Sequence, residues 1–418
     1  MSGERFLVEG GHRLKGSVQV SGNKNAAVHA IAATLLTAED CYLENLPAIG
    51  DVRSMLDILG ELGVEIERLS PSSVRINAAN IHTFAAPSDL AVSLRASFLV
   101  MGPLLTRFGQ GACCPPGGDV IGLRPLDIHL AGFAALGADV EREGDKFVVR
   151  APRLRGSRIF MDYPSVLGTQ NLMLAASLAQ GTTFIVNAAA EPEIATLGDM
   201  LNRMGARICG AGSHTVEIEG VKELHGTTHR IMPDRIEAGT FAIAAAISEG
   251  EVEIRDGEAR HLDALIWKLR EAGVEVDEVE TGVVVRRRGP LRAVNAQAVP
   301  YPGLATDLQA PMSVLLTQAD GVSFIYERVF DNRLLYVGEL RKMGAEMVTS
   351  GTTAIIRGPT PLHGTNVRAL DVRAGAALVL AALAAKGQTE ISEIYHLDRG
   401  YENLDGKLRA LGAVIERV

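Results

Sequence analysis

The stretch Leu265-Ile266-Trp267-Lys268-Leu269-Arg270-Glu271-Ala272-Gly273-Val274-Glu275-Val276-Asp277 changes its apolar period at one residue. Before Gly273 the apolar side chains fall at helical spacing. After it Val274 and Val276 alternate with Glu275 and Asp277, the period of a half-buried strand. A glycine at such a switch closes a helix in the left-handed conformation. The same phrase recurs at Leu62-Gly63-Val64, Leu136-Gly137-Ala138, Met204-Gly205-Ala206, Met343-Gly344-Ala345 and Leu411-Gly412-Ala413. Successive glycines are 74, 68, 68, 71 and 68 residues apart, so six units of about 70 residues account for the whole length.

Two further elements repeat with them. An Ala-rich helix runs through a small turn into a β-branched strand at Ala175–Val186, Ala244–Ile254 and Ala381–Ile391. Degraded copies lie near Leu36, Leu105 and Leu316. A strand opens into that helix at 16–27, 156–170, 226–239, 293–309 and 364–375. Each unit therefore reads strand, helix, strand, helix, strand, plus a connecting strand. A solenoid and closed domains both fit a repeat, but a unit of this size with two helices nearly forms its own layer, which favours two globular α+β domains of three units each.

Composition narrows the chemistry. The 418 residues are 47% hydrophobic with four cysteines and a net charge of -9. That balance argues against disordered, disulfide-framed and broadly nucleic-acid-binding classes. The apolar runs stay short of a membrane span, and the segment 1–10, with Glu4, Arg5 and Glu9, carries no secretory leader pattern. A cytoplasmic protein without membrane insertion is expected. The scattered histidines and cysteines lack metal-ligand spacing, so no metal and no cofactor are expected.

Polar residues at the strand-to-helix junctions depart from the repeat. One set holds Asn23-Lys24-Asn25, Arg95, Ser165, Asp234-Arg235, Asp307 and Asp371-Val372-Arg373. The other holds Asp51, Asp119 with Arg124, Glu191 with Glu193, Asp263, Asp331 with Arg333, and Asp398-Arg399. Asp51, Asp263 and Glu193 read as N-caps. Lys24, Arg95, Arg124, Arg333, Arg373 and Arg399 do not, because a cation at a helix N-terminus opposes the macrodipole; an anionic ligand explains them better. The segment 115–127, with Pro115, Pro116 and three glycines around Asp119, reads as a mobile lid. His129 either faces a ligand or packs into the core.

Across residues 6–418 the chain resembles the UDP-N-acetylglucosamine 1-carboxyvinyltransferases, a family of enolpyruvyl transferases. The resemblance rests on Ser21-Gly22-Asn23-Lys24-Asn25-Ala26-Ala27, Leu94-Arg95-Ala96-Ser97, Pro116-Gly117-Gly118 and Ile121-Gly122-Leu123-Arg124-Pro125. It rests equally on Pro233-Asp234-Arg235-Ile236-Glu237-Ala238-Gly239-Thr240, Thr306-Asp307-Leu308-Gln309-Ala310, Val329-Phe330-Asp331-Asn332-Arg333 and Tyr395-His396-Leu397-Asp398-Arg399-Gly400-Tyr401-Glu402. It implies an α/β (α+β) fold of two inside-out α/β barrel domains, three repeats in each. One domain would span 24–231 with a mobile catalytic loop at 113–124, the other 1–23 plus 232–418. The implied reaction moves the enolpyruvyl group of phosphoenolpyruvate to the 3′-hydroxyl of UDP-N-acetylglucosamine and releases phosphate, the first committed step of peptidoglycan synthesis.

By position, the resemblance implies phosphoenolpyruvate binding by Lys24, Asn25, Arg124, Arg373 and Arg399. UDP-N-acetylglucosamine would be held by Asn25, Arg95, Arg124, Pro125, Leu126, Asp127, Ile128, Ser165, Val166, Asp307 and Val329. Catalysis would fall to Asp119, Asp307, Lys24 and Arg399. Asp119 would act as the acid toward C3 of the enol, which requires a raised pKa in the closed site, and Asp307 as the base toward the sugar hydroxyl.

Two positions depart from the common pattern. Many relatives carry a cysteine where this chain has Asp119, and fosfomycin alkylates that thiol, so this chain is expected to be insensitive. Leu167-Gly168 replaces the usual Gly-Ala after Ser-Val and bears on the backbone beside the uridine stretch. The shikimate-pathway enolpyruvyl transferase, or a UDP-sugar sensor without turnover, are the alternatives.

Overall fold

A computed structural model describes residues 3–119, 121–122 and 125–418. The chain divides into two compact units: Gly22–Gly118 with Arg124–Met232, here the Lys24 unit, and Met1–Ser21 with Asp119–Leu123 and Pro233–Val418, the Asp307 unit. Each contains three small sheets, one per repeat.

In the Lys24 unit one sheet runs Arg207–Cys209, Thr215–Glu219, Thr182–Val186, Arg158–Phe160. Its last two strands are parallel, joined by the helix Val166–Ala176, and the other pairings are antiparallel. The second sheet repeats this order with Thr228–Arg230, Cys41–Glu44, Ser73–Asn77 and Glu65–Ser70. The third keeps Gln110–Cys113, Lys146–Arg150 and Asp139–Glu143, with its parallel strand reduced to a bridge between Ala85 and Ala112.

The Asp307 unit repeats the pattern. Lys15–Gln19 lies parallel to Glu251–Arg255, followed by Gly282–Arg286 and Glu275–Val279. Ala319–Glu327 takes Leu291–Arg292 and Ala296–Ala298 as parallel neighbours, with Thr353–Gly358 and Glu346–Ser350 beyond. In the last sheet Asn366–Arg368 lies parallel to Gln388–Ser392, which pairs with Phe6–Glu9, so a strand from the start of the chain completes the hairpin begun by Val414–Arg417.

The Ala-rich helices are apolar all round, and such a helix is stable only when enclosed. Accordingly every residue of Val372–Ala384 except Ala384 is buried, and every residue of Arg235–Ile247 except Arg235. The second helix of each repeat is amphipathic, as in Gly50–Leu62 and Pro192–Arg203, and buries one face. All six repeat-marking glycines adopt positive φ, from 93° at Gly137 to 103° at Gly205, which releases the chain from helix to strand. Among the described residues no helix is long and apolar enough to cross a membrane.

The repeat pattern by itself joins each strand to the helix after it, but at two places the strand and its helix belong to different units. Lys15–Gln19 precedes the helix Lys24–Ala33, yet it pairs in the Asp307 unit, while Thr228–Arg230 precedes Arg235–Ile247 and pairs in the Lys24 unit. The chain changes units at Ser21/Gly22 and again at Met232/Pro233. Gly22 has to be glycine there, because a Cβ would lie 1.9 Å from the carbonyl oxygen of Asn45.

Candidate active site

In the Lys24 unit the candidate residues gather at helix N-termini. Asn23 caps Lys24–Ala33: its Oδ1 accepts the Ala26 N–H at 2.8 Å, and its Nδ2 donates to Glu193 Oε1 at 3.0 Å. That fixes Lys24 at the first helical position, with Asn25 half-buried beside it. A cation there opposes the helix dipole. Asp51 answers it, with its Oδ2 2.7 Å from Lys24 Nζ and both groups largely shielded from solvent. Asp51, Glu193 and Asp263 are therefore not the N-caps expected. They lie within the first turns of their helices, and the cap positions belong to Ile49, Glu191 and Leu262.

Ser165 does cap its helix, accepting the Gly168 N–H at 3.1 Å. A Cβ at Gly168 would stand 2.8 Å from Ile128 Cγ2 and 3.0 Å from Ser165 Oγ. The Leu167-Gly168 variant thus keeps a regular helix start, and the missing Cβ leaves room for Ile128 against Gly168. Leu126 is buried, Pro125 and Asp127 are exposed, and Asp127 begins the helix Asp127–Ala135. Arg95 opens the turn Arg95–Val100 and donates to the carbonyls of Pro116 (3.4 Å) and Pro125 (3.5 Å), on either side of the glycine-rich loop. Gly117 presses so closely on Val92 that a Cβ would meet its carbonyl oxygen at 1.6 Å. Arg124, expected to touch both substrates, lies outside the described residues, as do Val120 and Leu123 of the loop 113–124.

His129 belongs to the core. The Asn171 amide is oriented by two backbone partners, with Oδ1 accepting the Gly102 N–H at 2.8 Å and Nδ2 donating to the Phe98 carbonyl at 2.9 Å. Nδ2 therefore also faces His129 Nδ1, 3.1 Å away, which must be the unprotonated ring nitrogen. Burial, and secondarily the charge of Arg95, hold the His129 pKa down to about 3.

The Asp307 unit carries the carboxylates. Asp307, in the turn Thr306–Leu308, is clasped by two guanidinium groups: Arg333 Nη2 reaches Oδ1 at 2.9 Å, and Arg373 reaches Oδ2 through Nε at 3.0 Å and Nη2 at 2.9 Å. Arg373 is only 4% exposed, stacks over Tyr401 with 5.1 Å to the ring centroid, and keeps an Nη1 without a hydrogen-bond partner among the described residues. Burial is the largest single influence and would lower its pKa, but Asp307, Tyr401 and Asp234 together raise it. Arg373, expected at phosphoenolpyruvate, is thus engaged with the candidate base.

Asp119 meets Arg399 here, Oδ1 to Nη1, at 2.6 Å. Arg399 does not open a helix as the repeat suggested; it follows the short helix Tyr395–Asp398. Gly122, at φ 130°, lies so close to Asp331 that a Cβ would fall 1.8 Å from its Oδ1, and the Asn332 N–H donates to the Ile121 carbonyl at 3.2 Å. Val329 is half-buried, and its N–H is held by Glu327 Oε1 at 2.8 Å.

Sequence reasoning missed Glu327. It also missed Glu237, whose burial raises its pKa to about 7 although Lys407 Nζ lies 2.5 Å away. The available signal was an acid in the buried register of a strand or helix.

Comparison with known proteins identifies the chemistry this framework supports elsewhere. Residues 8–408 match the family EPSP synthase (3-phosphoshikimate 1-carboxyvinyltransferase). The chain is 48% identical to UDP-N-acetylglucosamine 1-carboxyvinyltransferase of Magnetococcus marinus, over 99% of both chains. It is also 48% identical to UDP-N-acetylglucosamine 1-carboxyvinyltransferase 2 of Carboxydothermus hydrogenoformans, again over 99% of both. Among solved structures it resembles the enolpyruvyl transferase NikO from Streptomyces tendae, with a TM-score of 0.90, 27% identity and coverage of 100% of this chain and 99% of that one. EPSP synthase from Acinetobacter baumannii, with a TM-score of 0.78 and 17% identity over the full length of both, shares the fold.

Proposed function

The chain belongs to the EPSP synthase family of enolpyruvyl transferases, and from that membership we propose that it transfers the enolpyruvyl group of phosphoenolpyruvate to the 3′-hydroxyl of UDP-N-acetylglucosamine, releasing phosphate. The observation that carries this is the near-half identity, over essentially the whole chain, to proteins bearing that name. The reaction would serve peptidoglycan synthesis in the cytoplasm.

The residues have chemistry suited to each step. Phosphoenolpyruvate brings a carboxylate and a phosphate, which match a point-charge lysine and forked arginines. Lys24 is paired with Asp51 and Arg399 with Asp119, so an arriving anion exchanges with a carboxylate already in contact with the cation. At Arg399 the exchange would free the Asp119 carboxylate to take up a proton from solvent and then deliver it to C3 of the enol. The sugar hydroxyl then adds at C2 while Asp307 takes its proton. Elimination returns a proton from the new methyl group to the Asp119 carboxylate and expels phosphate, with Lys24, Arg124 and Arg399 stabilising the charge that develops on the leaving group. Arg333 and Arg373 fix the plane of the Asp307 carboxylate. The UDP-N-acetylglucosamine ligands implied by the resemblance are Asn25, Arg95, Arg124–Ile128, Ser165, Val166, Asp307 and Val329.

A coupled phosphate assay tests the reading. Release that requires both phosphoenolpyruvate and UDP-N-acetylglucosamine is the expected result. Release with shikimate 3-phosphate instead would assign the shikimate reaction, and binding of the nucleotide sugar without release would identify a sensor.

A further inference from the structure

The strand Ala319–Glu327 ends on a carboxylate in its buried register, following Ser323 and Ile325, and Glu327 is only 1% exposed. A carboxylate so placed is tolerated only when its oxygens are well bonded. Oε1 accepts the N–H groups of Val329 at 2.8 Å and Phe330 at 3.1 Å. Oε2 accepts the hydroxyl of Thr306 at 2.7 Å. Thr306 Oγ1 in turn accepts Arg333 Nη1 at 3.2 Å, and the Arg333 guanidinium lies over the Phe330 ring, 5.4 Å from its centroid. The contacts close a ring from Glu327 through Phe330, Arg333 and Thr306 back to Glu327. Asp307 hangs from that ring by Arg333 Nη2 at 2.9 Å.

Three donors converge on Glu327, a demand an ionised carboxylate meets with its four lone-pair positions and no donor of its own. Burial raises its pKa above the usual carboxylate range, against the downward pull of the bonds from Thr306, Val329 and Phe330 and the charge of Arg333. We propose that Glu327 is a positioning residue for the nucleotide-sugar substrate: without touching it, Glu327 holds the Asp307 carboxylate and the Val329 backbone in one fixed frame. This rests on the function proposed above, in which both groups contact the nucleotide sugar. The ring bonds directly to the Val329 N–H and, through Arg333, to Asp307, the groups proposed to meet the nucleotide sugar, so the effect is expected on that substrate.

The test is steady-state phosphate release by wild type, Glu327→Ala, Glu327→Gln and Thr306→Val, with each substrate varied in turn and thermal unfolding followed in parallel. Glu327→Ala should raise KM for UDP-N-acetylglucosamine about tenfold or more, the effect of losing buried charge-assisted bonds, and leave KM for phosphoenolpyruvate within about threefold. Glu327→Gln, whose amide oxygen still accepts the two N–H groups, should recover most of the loss. Thr306→Val, which removes the bonds from Thr306 Oγ1 to Glu327 and from Arg333 to Thr306, should show the same selectivity and stands in if Glu327→Ala does not fold. Equal rises in both KM values, or none, in a wild type that turns over would overturn the positioning role alone. A wild type that releases no phosphate would overturn the proposed function and this inference with it.

Discussion

Replacing Asp307 by alanine should damage stability and turnover together, for separable reasons. Arg373 is buried at 4% exposure, and its Nε and Nη2 both bond to Asp307 Oδ2. Removing one partner of a buried ion pair costs about 3–5 kcal/mol, because the remaining charge is stranded in a poor solvent. In a unit of about 200 residues, where each kcal/mol moves the midpoint by about 2–4 °C, the melting temperature should fall by about 6–20 °C. Turnover should drop by roughly two to four orders of magnitude, the range for a positioned base. Calorimetry and phosphate release on the same preparations measure both. The double variant Asp307→Ala/Arg373→Met, which replaces the stranded Arg373 with an apolar chain, should recover part of the stability, Arg333 still lacking its Asp307 partner, and none of the activity. A single variant melting within about 2 °C of wild type would refute the claim that Asp307 neutralises Arg373.

Arg399→Ala should raise KM for phosphoenolpyruvate by roughly 10- to 100-fold, since it removes a charge-assisted contact made in the ground state, and an unchanged KM would count against that contact. Wild-type enzyme should turn over in the presence of fosfomycin, because epoxide opening needs a thiolate; Asp119→Cys should stay active and become sensitive. Burial raises the Cys113 thiol to about 12 and raises Cys114 as well, so a covalent adduct at either would contradict this assignment of the loop. Burial is also the main cause that holds His29, His129 and His229 of the Lys24 unit at about 3, 3 and 4. Below pH 6.5 the unfolded chain binds more protons at these sites than the folded one. Their stabilisation is therefore full above pH 6.5 and is lost as pH falls through 4 toward 3. Calorimetry of His129→Gln should show a shallower acid dependence of melting than wild type, and identical slopes would refute the assignment.

Features decided within a few residues were legible. The six glycines between helix and strand could be found because only a residue tolerant of positive φ leaves the helix in that way, and all six adopt it. Ser165 and Asp371 could be read as caps for the same local reason, and their side chains do accept helix N–H groups. Partner choice across the chain was not legible. Nothing near Lys15–Gln19 announces that it will pair with Glu251–Arg255, because strand pairing depends on which surfaces meet after the chain changes units. Arg373 looked like an anion ligand by its place in the repeat, but Asp307, 66 positions away in sequence, claims its guanidinium. Asp51 looked like a cap and became the counter-ion of Lys24. In each case a charge announced itself in the sequence while its counterpart did not.

The central claim is a transfer of carbon with expulsion of phosphate, and proton and phosphorus magnetic resonance on one reaction mixture tests it most directly. With the protein, phosphoenolpyruvate and UDP-N-acetylglucosamine together, inorganic phosphate should appear in one-to-one proportion with the vinyl protons of a new enol ether on the sugar. Asp307→Ala should yield neither signal at the wild-type rate. Phosphate without the enol ether, or calorimetric binding of the nucleotide sugar with both spectra unchanged, would contradict it.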